Sequence, residues 1–329
     1  MTRDDFEDQL SAHERESAIF VKNLRRTYGD FAAVDGIDLD IKRGEVYSLL
    51  GPNGAGKSTT IEILCGARNR TSGDVNVLGY DPGKFERGFR ARVGVVPQTT
   101  AEYLDLTVTE VVKHFATFYP NPWEPAKIIS AVGLGEKAKA MCTNLSGGQK
   151  HRLDVAVGLV GKPELVFLDE PTTGLDPEAR REAWDLIRTV QQMGTTVILT
   201  THYLDEAEEL SDRVGVIARG RILVEGTVQE LSRVAGFSHR ISTTSPELRL
   251  PDATDPNLAK ELVRDGSGVS WATDHPTAVL RGLLEQADRA GFDEIPGLTV
   301  ARPTLEDTYL ALLHKDESAT ENNTEEKAA

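Results

Sequence analysis

The sequence has 329 residues, 39% of them hydrophobic and 27% charged, which is enough chain for about two globular domains. Its 37 basic and 52 acidic residues give a formal charge of -15, which opposes non-specific attraction to nucleic acid and to anionic lipid. The apolar runs fall far short of the roughly 20 residues of a membrane-spanning helix. We therefore expect a chain that stays in the cytoplasm and does not bind nucleic acid.

The chain begins with an acidic segment, 1–17, which we expect to be disordered. Alternating apolar and polar residues at 18–28 and 34–45 then predict two antiparallel strands. An apolar run at 45–50 predicts a buried strand, and apolar side chains recur at helical spacing from Ile61 to Cys65. The stretch between that strand and that helix is then a strand-to-helix loop.

This loop reads 51-GPNGAGKST-59 and has the spacing of a phosphate-binding loop. Its glycines let consecutive backbone N–H groups turn toward phosphate, and the N-terminus of the following helix attracts the same anion. Lys57 would reach the β- and γ-phosphates, and the Ser58 hydroxyl would bind Mg²⁺. An ordinary glycine-rich turn is the alternative. The candidate phosphate-binding residues are Gly51, Pro52, Asn53, Gly54, Ala55, Gly56, Lys57, Ser58 and Thr59.

The middle of the chain is mostly helical in pattern, most clearly at 146–160. Buried-strand patterns return at 164–170 and 195–202, on either side of a helix that should begin near Pro177. A hairpin is expected at 213–227. Strands that alternate with helices predict an α/β fold with a parallel sheet covered by helices.

Two carboxylates follow one another at the end of the first of these strands, Asp169 and Glu170. A carboxylate at a strand end beside a phosphate loop can hold the shell of a Mg²⁺ ion, so Asp169 is a candidate metal-binding residue. Its neighbour can orient and deprotonate a water for attack on the γ-phosphate, which makes Glu170 the candidate general base. The alternative for Glu170 is a solvent-exposed residue that only ends the strand.

The pentapeptide 145-LSGGQ-149 lies between these two nucleotide motifs. Together with the phosphate loop and 165-LVFLDEPTTGLDP-177, it resembles the nucleotide-binding subunit of an ABC transporter over roughly residues 18–236. The resemblance implies a P-loop NTPase fold of the ABC type, with an antiparallel β subdomain and a helical subdomain at about 99–160. It also implies that the chain binds ATP and Mg²⁺ and hydrolyses ATP.

The resemblance assigns roles to four further residues. Gln98 corresponds to the glutamine that links the metal and the attacking water to the membrane-facing surface, and His202 to the histidine that contacts the γ-phosphate. Tyr28 corresponds to the aromatic residue that stacks on adenine, although Phe31 is close enough to compete. Asp176 corresponds to the loop that crosses a dimer interface. Without the neighbouring motifs, each would more often be an ordinary polar or packed residue.

The signature segment, 145–149, also has a physical interpretation. Ser146 is a candidate helix N-cap, and Gly147 and Gly148 keep the helix start free of side chains, so the helix dipole can face an anion. With Gln149 they form a second candidate phosphate-binding surface. In the resembled family this surface receives the ATP of a partner, which implies a head-to-tail homodimer that holds two ATP molecules.

A second unit follows, and we expect it to be an accessory α+β domain at 237–315. It opens with a polar, proline-bearing stretch at 244–257. Helical spacing from Leu280 to Ala287, a short strand at 298–302 and a closing helix at 304–315 follow.

The segment 303–313 resembles the end of ATPases of the daunorubicin/doxorubicin-resistance type, which implies export of drugs or lipids. The tail 316–329 lacks apolar periodicity and is expected to be disordered. The sequence departs from the family at Arg68, Asn69 and Arg70, where apolar residues and a proline are common. That departure leaves the phosphate loop intact but puts the local loop in doubt.

One phosphate loop and one signature segment predict half of an ATPase, so we expect a homodimer. Because the sequence shows no spanning helix, the transport path should belong to a membrane permease on a separate chain, with this chain at the cytoplasmic face of the membrane. The alternative is a soluble ABC-type ATPase of chromosome maintenance or DNA repair, in which a long coiled coil separates the two motifs. Residues 59–145 carry no sustained heptads. A ribosome-acting resistance factor would carry two cassettes in one chain.

Overall fold

The computed structural model describes residues 17–84, 86–98, 103, 105–234, 239–248 and 259–309. Two compact units divide the chain, Met1–Thr227 and Val228–Ala329. This division falls before the boundary that we expected between residues 236 and 237. Ser17, which we expected in a disordered segment, is buried in the first strand. The rest of that segment and the tail 316–329 lie outside the described residues.

The helices and strands of the first unit alternate along most of its length. In chain order they are β1 (Ser17–Tyr28), β2 (Phe31–Lys42), β3 (Val46–Leu50), α1 (Lys57–Leu64), β4 (Ser72–Val77), α2 (Arg87–Arg90), β5 (Val93–Val96), α3 (Val108–Ala116), α4 (Pro125–Ala131), α5 (Gly147–Leu159), β6 (Leu165–Asp169), α6 (Pro177–Gln192), β7 (Thr196–Thr201), α7 (Leu204–Leu210), β8 (Arg213–Ala218) and β9 (Arg221–Gly226).

A six-stranded sheet forms the centre of this unit, in the order β5-β6-β7-β3-β8-β9. The first five of these strands run parallel, whereas β9 pairs antiparallel with β8 in the hairpin that the sequence predicted. Every residue of β3 is buried, as expected for a parallel strand covered on both faces. The predicted α/β fold with a parallel sheet is confirmed.

The two faces of the sheet pack against different partners. In β6, Val166 and Leu168 belong to the core formed with the helices α3 to α6, whereas Leu165 and Phe167 belong to the core formed with β1, β2 and α1. The alternation follows from the two-residue period of a strand. Both faces are therefore apolar, which leaves the polar chemistry to the ends of the strands.

A separate antiparallel sheet, in the order β2-β1-β4, covers one of these faces. Its first two strands pair from Ser17 opposite Lys42 to Tyr28 opposite Phe31. Gly29 turns the chain between them with a φ of 59°, a backbone conformation that suits glycine. The hairpin was expected from the sequence, but β4, which forms the third strand, was not.

Helices α3, α4 and α5 pack together over the opposite face through Val111, Ile128 and Leu153. A capping box begins α3, in which Thr107 and Glu110 each accept from the other's backbone N–H. Such a cap stabilises a helix start by about 1 kcal/mol. The segment 99–102, which we expected at the start of this helical region, lies outside the described residues.

The second unit is a small α+β domain. Its elements are α8 (Val228–Val234), β10 (His239–Thr243), β11 (Lys260–Asp265), β12 (Gly268–Thr273), α9 (Pro276–Ala290) and β13 (Thr299–Ala301). The four strands form an antiparallel sheet in the order β11-β12-β10-β13, and Val279 and Leu283 of α9 pack with Trp271. The sequence predicted α9 and β13, but it missed the strands β10 to β12.

The closing helix of this unit is described only over 305–309, so most of the helix expected at 304–315 lies outside the described residues. Its start is fixed by Thr304 and Asp307, whose side chains bond each other's backbone N–H groups. Thr308 donates to the carbonyl oxygen of Leu231 in α8 at 3.2 Å. In the described residues, no helix is long and apolar enough to cross a membrane.

Candidate nucleotide-binding and catalytic site

The candidate residues gather at one edge of the central sheet because parallel strands end on the same side. Leu50 of β3 pairs with Thr201 of β7, and Asp169 of β6 pairs with Thr200 of β7. The phosphate loop and His202 follow directly after β3 and β7, and the carboxylate pair consists of the last residue of β6 and the residue after it. Ligands bind at this edge of open α/β sheets, at the carboxyl ends of the strands.

The loop 51–56 requires glycine at several positions. Gly54 and Gly56 have φ values of 80° and 105°, which side-chain-bearing residues rarely adopt. A Cβ on Gly51 would lie 2.2 Å from the carbonyl oxygen of Ile217, and one on Gly56 would lie 2.4 Å from that of Ala33. Gly56 is also the N-cap of α1, so the loop feeds directly into a helix N-terminus.

Lys57 lies inside this loop, with only 4% of its surface exposed. Its Nζ donates to the carbonyl oxygens of Gly51 at 2.8 Å and Pro52 at 3.1 Å, and it lies 3.4 Å from Oε1 of Glu170. The ammonium group is therefore held where the loop and the carboxylate pair meet. An ammonium group held at this point can bind phosphate oxygens in place of the carbonyl oxygens.

Ser58 and Asp169 supply oxygen atoms at the same point. The Ser58 hydroxyl donates to Oδ1 of Asp169 at 3.2 Å, and the Thr200 hydroxyl donates to the same oxygen at 2.5 Å. Neutral and anionic oxygens are the ligands that Mg²⁺ prefers, so this donor set fits such an ion. In the described residues, no cluster of three or more His, Cys, Asp or Glu side chains forms a metal site.

Glu170 is the centre of the polar contacts. Its Oε2 accepts from Nε2 of Gln98 at 3.0 Å and from the Thr173 hydroxyl at 3.2 Å, and it lies 3.4 Å from Nδ1 of His202. Glu170 is only 8% exposed, so the structure does not place it in solvent at the strand end. The three residues expected to be catalytic, Glu170, Gln98 and His202, are therefore in contact.

The backbone of Glu170 is also unusual, with a φ of 49°. Such a conformation costs free energy in a residue with a Cβ, and it persists only where its surroundings hold it. The Glu170 N–H is fixed by the carbonyl oxygen of Thr200 at 3.1 Å and by its hydroxyl at 3.0 Å. These bonds turn the side chain of Glu170 away from the strand and into the site.

Burial acts to raise the pKa of Glu170, but the positive charge of Lys57, the proximity of His202 and hydrogen bonds from Lys57 and Thr173 outweigh it. The pKa of Glu170 therefore lies below its usual value, and the side chain is a carboxylate at neutral pH. An ionised, partly desolvated carboxylate can accept a proton from water.

The signature segment forms a separate concave surface. Ser146 caps α5, because its hydroxyl accepts from the Gln149 N–H while the Gln149 side chain accepts from the Ser146 N–H. Gly147 and Gly148 open the helix with little obstruction: no atom lies within 4 Å of a Cβ on Gly147. A cavity of about 470 Å³ lies in front of this helix start.

Asp176 lines the same cavity. It is the N-cap of α6 and accepts from the N–H groups of Glu178 at 3.0 Å and Ala179 at 2.9 Å. Two helix N-termini, those of α5 and α6, thus meet at one cavity, and no residue of 51–59 lines it. The structure thus brings Asp176 and the signature segment to the same cavity.

Tyr28 lies at the tip of the first hairpin and is 41% exposed, whereas Phe31 is 62% exposed. The Tyr28 hydroxyl accepts from the guanidinium of Arg68, and the Arg26 guanidinium lies 4.5 Å from the centre of the Tyr28 ring. Arg68 also bonds Glu62 of α1. The departure from the family at Arg68 therefore ties the hairpin aromatic to the helix that follows the phosphate loop.

Comparison with known proteins agrees with this geometry. Residues 34–173 match the model of the ABC transporter family. Over 328 residues the chain is 36% identical to the daunorubicin/doxorubicin resistance ATP-binding protein DrrA of Streptomyces peucetius, across 94% of this chain and 97% of that relative. The chain belongs to the ABC transporter family. This ABC ATPase binds and hydrolyses ATP, as the sequence predicted.

One further relative and one solved structure are also similar to this chain. The ABC ATPase is 35% identical to the Nod factor export ATP-binding protein I of Ralstonia nicotianae, across 90% of this chain and 94% of that relative. A dimeric ATP-binding cassette in a post-hydrolysis state with ADP and Pi matches with a TM-score of 0.57 and 26% identity, across 64% of this chain and 98% of its own. The alternative of a chromosome-maintenance or repair ATPase is not favoured.

Sequence reasoning missed the hydroxyl groups that organise the site of this ABC ATPase. Thr200 holds both the side chain of Asp169 and the backbone of Glu170, and Thr173 bonds the Glu170 carboxylate. The run of threonines at the end of β7 was an available signal, because a buried strand seldom ends in several hydroxyl residues without polar partners.

Proposed function

We propose that this ABC ATPase holds Mg²⁺-ATP between two copies of the chain and uses closure of that dimer to drive export through a separate membrane permease. The observation that carries this proposal is the separation of two phosphate-directed surfaces within one chain. The loop 51–59 lies at the sheet edge, and 146–149 faces a cavity that no residue of the loop lines. A second copy is needed to bring one surface of each kind to the same ATP.

In this proposal, residues 51–59 bind the β- and γ-phosphates. Lys57 exchanges its bonds to the carbonyl oxygens of Gly51 and Pro52 for bonds to phosphate. Ser58, with Asp169 and Gln98, would hold a Mg²⁺ ion, which would supply positive charge beside the phosphates. Tyr28 stacks on adenine, and Ser146, Gly147, Gly148 and Gln149 of the partner copy face the γ-phosphate.

Hydrolysis then follows from the contacts of Glu170. Gln98 and His202 fix the carboxylate, and Glu170 takes a proton from the attacking water. The water oxygen forms a bond to the γ-phosphorus, and the bond from that phosphorus to the bridging oxygen of ADP breaks. His202 contacts the γ-phosphate, and Asp176 lies beside the signature segment of its own chain at the dimer interface.

The permease and the cargo are proposed from the relatives. One relative that spans nearly all of this chain is named for daunorubicin/doxorubicin resistance, and another for Nod factor export. We therefore assign an exporter of drug, antibiotic or lipid-like molecules, with this chain bound peripherally at the cytoplasmic face of the cell membrane. Both relatives match over 90% or more of this chain.

The test is ATP-driven uptake of doxorubicin by everted membrane vesicles from cells that make the protein. Vesicles with the wild-type chain should accumulate the drug only with ATP, and vesicles with Lys57→Ala should not. Stimulation of the purified ATPase by DNA, without vesicle uptake, would instead support the chromosome-maintenance alternative. Uptake that is equal for wild type and Lys57→Ala would overturn the proposal.

A further inference from the structure

A fully buried carboxyl group lies behind the catalytic edge. Glu206 of α7 is 0% exposed, although its neighbours Asp205 and Glu208 are exposed. Nε1 of Trp184, on α6, donates to Oε1 of Glu206 at 3.2 Å. Oε2 of Glu206 is buried, and no hydrogen bond to it forms among the described residues. A buried carboxyl oxygen without a donor destabilises a fold, so its presence at this position calls for an explanation.

The hydroxyl groups of Thr201 and Thr172 lie beside this carboxyl group. Thr172 is fully buried, and in the described part of the chain its Oγ1 also forms no hydrogen bond. Thr172 lies two residues after Glu170, and Thr201 directly precedes His202. Glu206 therefore lies where the loop after the general base meets the turn that carries the histidine.

The turn that carries His202 contacts α6 and leads into α7, the helices that carry Trp184 and Glu206. The Tyr203 N–H donates to the Thr201 hydroxyl at 2.9 Å, and the rings of His202 and Tyr203 have centroids 4.1 Å apart. The Arg180 guanidinium of α6 lies 4.3 Å from the centre of the Tyr203 ring. Tyr203, whose ring packs on that of His202, thus contacts α6 through Arg180, and Glu206 is a buried polar contact between α6 and α7.

We propose that Glu206 is a positioning residue for ATP hydrolysis: its carboxyl group accepts from Trp184 and packs beside the hydroxyls of Thr172 and Thr201, and so holds the loop after Glu170 and the turn of His202 in one arrangement. This inference rests on the roles proposed above for Glu170 and His202. Glu206, Thr172 and Thr201 are not among the residues proposed above to bind ATP, so the expected effect is on catalytic geometry rather than on nucleotide binding.

The surroundings of Glu206 shift the pKa of its carboxyl group. Burial raises the pKa of Glu206, and the polar groups of Thr201, Thr172 and Trp184, together with the charge of Arg180, offset only part of that effect. Arg180 is a charged group near the Glu206 carboxyl. Its guanidinium is also paired with Asp205 at 3.4 Å. In its protonated form the Glu206 carboxyl group would still accept from Trp184 at one oxygen, and it could donate to the Thr172 hydroxyl from the other.

Three variants of the purified full chain test the proposal by steady-state ATPase kinetics. Glu206→Leu removes the carboxyl group and its bond to Trp184, and we expect kcat to fall about tenfold while the KM for ATP stays within about twofold. Glu206→Gln keeps an acceptor and a donor in the same volume, so it should retain kcat within about twofold of wild type. Glu208→Ala, on the exposed face of the same helix, is the matched control and should leave both constants unchanged.

A double-mutant cycle with Thr172→Val distinguishes positioning from loss of folding. If Glu206 acts through Thr172, Glu206→Leu should lower kcat less in the Thr172→Val background than in the wild-type background. The urea midpoints of the two chains that carry Glu206→Leu should be equal, so that a difference in stability does not account for the difference in kcat. Unchanged kcat in Glu206→Leu would overturn the proposal, as would additive effects or a parallel loss of ATP affinity. Because Glu170→Gln tests the general base separately, failure here leaves that assignment intact.

Discussion

The ammonium nitrogen of Lys57 lies 3.4 Å from Oε1 of Glu170, and both side chains are buried. The residue proposed to bind phosphate thus places its positive charge beside the residue proposed to activate water. Each charge offsets the cost of burying the other. The groups proposed for phosphate binding and for base catalysis therefore form one buried ion pair in this ABC ATPase. A change at Lys57 should mainly affect ATP binding, and a change at Glu170 should mainly affect hydrolysis.

Lys57→Ala should abolish tight ATP binding, because it removes the ammonium group held inside the loop 51–59. We expect the dissociation constant for ATP to rise by at least about a hundredfold, as for loss of a buried charge-assisted contact. Titration calorimetry measures this directly. Lys113→Ala, at an exposed position on α3, is the control. An unchanged dissociation constant in Lys57→Ala would discredit the site.

Glu170→Gln should preserve ATP binding and stop hydrolysis. Glutamine keeps the volume of the side chain and an oxygen for the Gln98 and Thr173 donors, but it cannot take a proton from water. We expect kcat to fall by about a hundredfold or more. Phosphate release in a single turnover is the measurement, and hydrolysis at the wild-type rate would exclude the general-base role.

Ser146 can be tested for phosphate binding apart from its role as a helix cap. Ser146→Asp keeps a good N-cap for α5, so the unfolding free energy should stay within about 1 kcal/mol of wild type. Its negative charge would face the γ-phosphate, and ATPase activity should fall at least about tenfold. Ser146→Asn is the neutral capping control. Equal activity in the two variants would argue against a phosphate at this surface.

Arg68 should affect the affinity for ATP and not the chemical step. Arg68→Ala releases the Tyr28 hydroxyl, so the hairpin aromatic loses its link to Glu62. We expect the KM for ATP to rise about threefold with kcat unchanged. Tyr28→Phe removes the same hydrogen bond and should show the same change, whereas Tyr28→Ala should raise KM further. A fall in kcat alone would contradict this assignment.

The parts that the sequence predicted well are those whose chemistry fixes both residue type and spacing. Glycines at 51, 54 and 56 are required by the backbone, and the apolar run before Asp169 is required by burial in a parallel sheet. The strands β10 to β12 were missed because they lack a clear alternation: β12, which reads GVSWAT, is buried at all six positions. The residues of β12 are buried on both faces of the strand, and the contacts that bury them come from other segments that a single sequence does not show.

Contacts between distant segments were also beyond the sequence. Glu206 lies in the acidic helix 204–210, where a charged residue is normally solvated. Its position beside Ala207 and one turn before Leu210 was the available signal, because those two residues mark the buried face of the helix. Trp184 and Thr172, which explain the burial of Glu206, come from other elements and meet it only in the fold.

The central claim is that one complete ATP site needs two copies of the chain. Its most direct test is the molar mass of Glu170→Gln in solution with Mg²⁺-ATP, measured by light scattering. We predict a particle of twice the 35.9 kDa of the chain with ATP, a monomer without it, and a monomer in both conditions when Ser146→Asp is added. A Glu170→Gln chain that binds ATP as a monomer, or a dimer that persists with Ser146→Asp, would contradict the account.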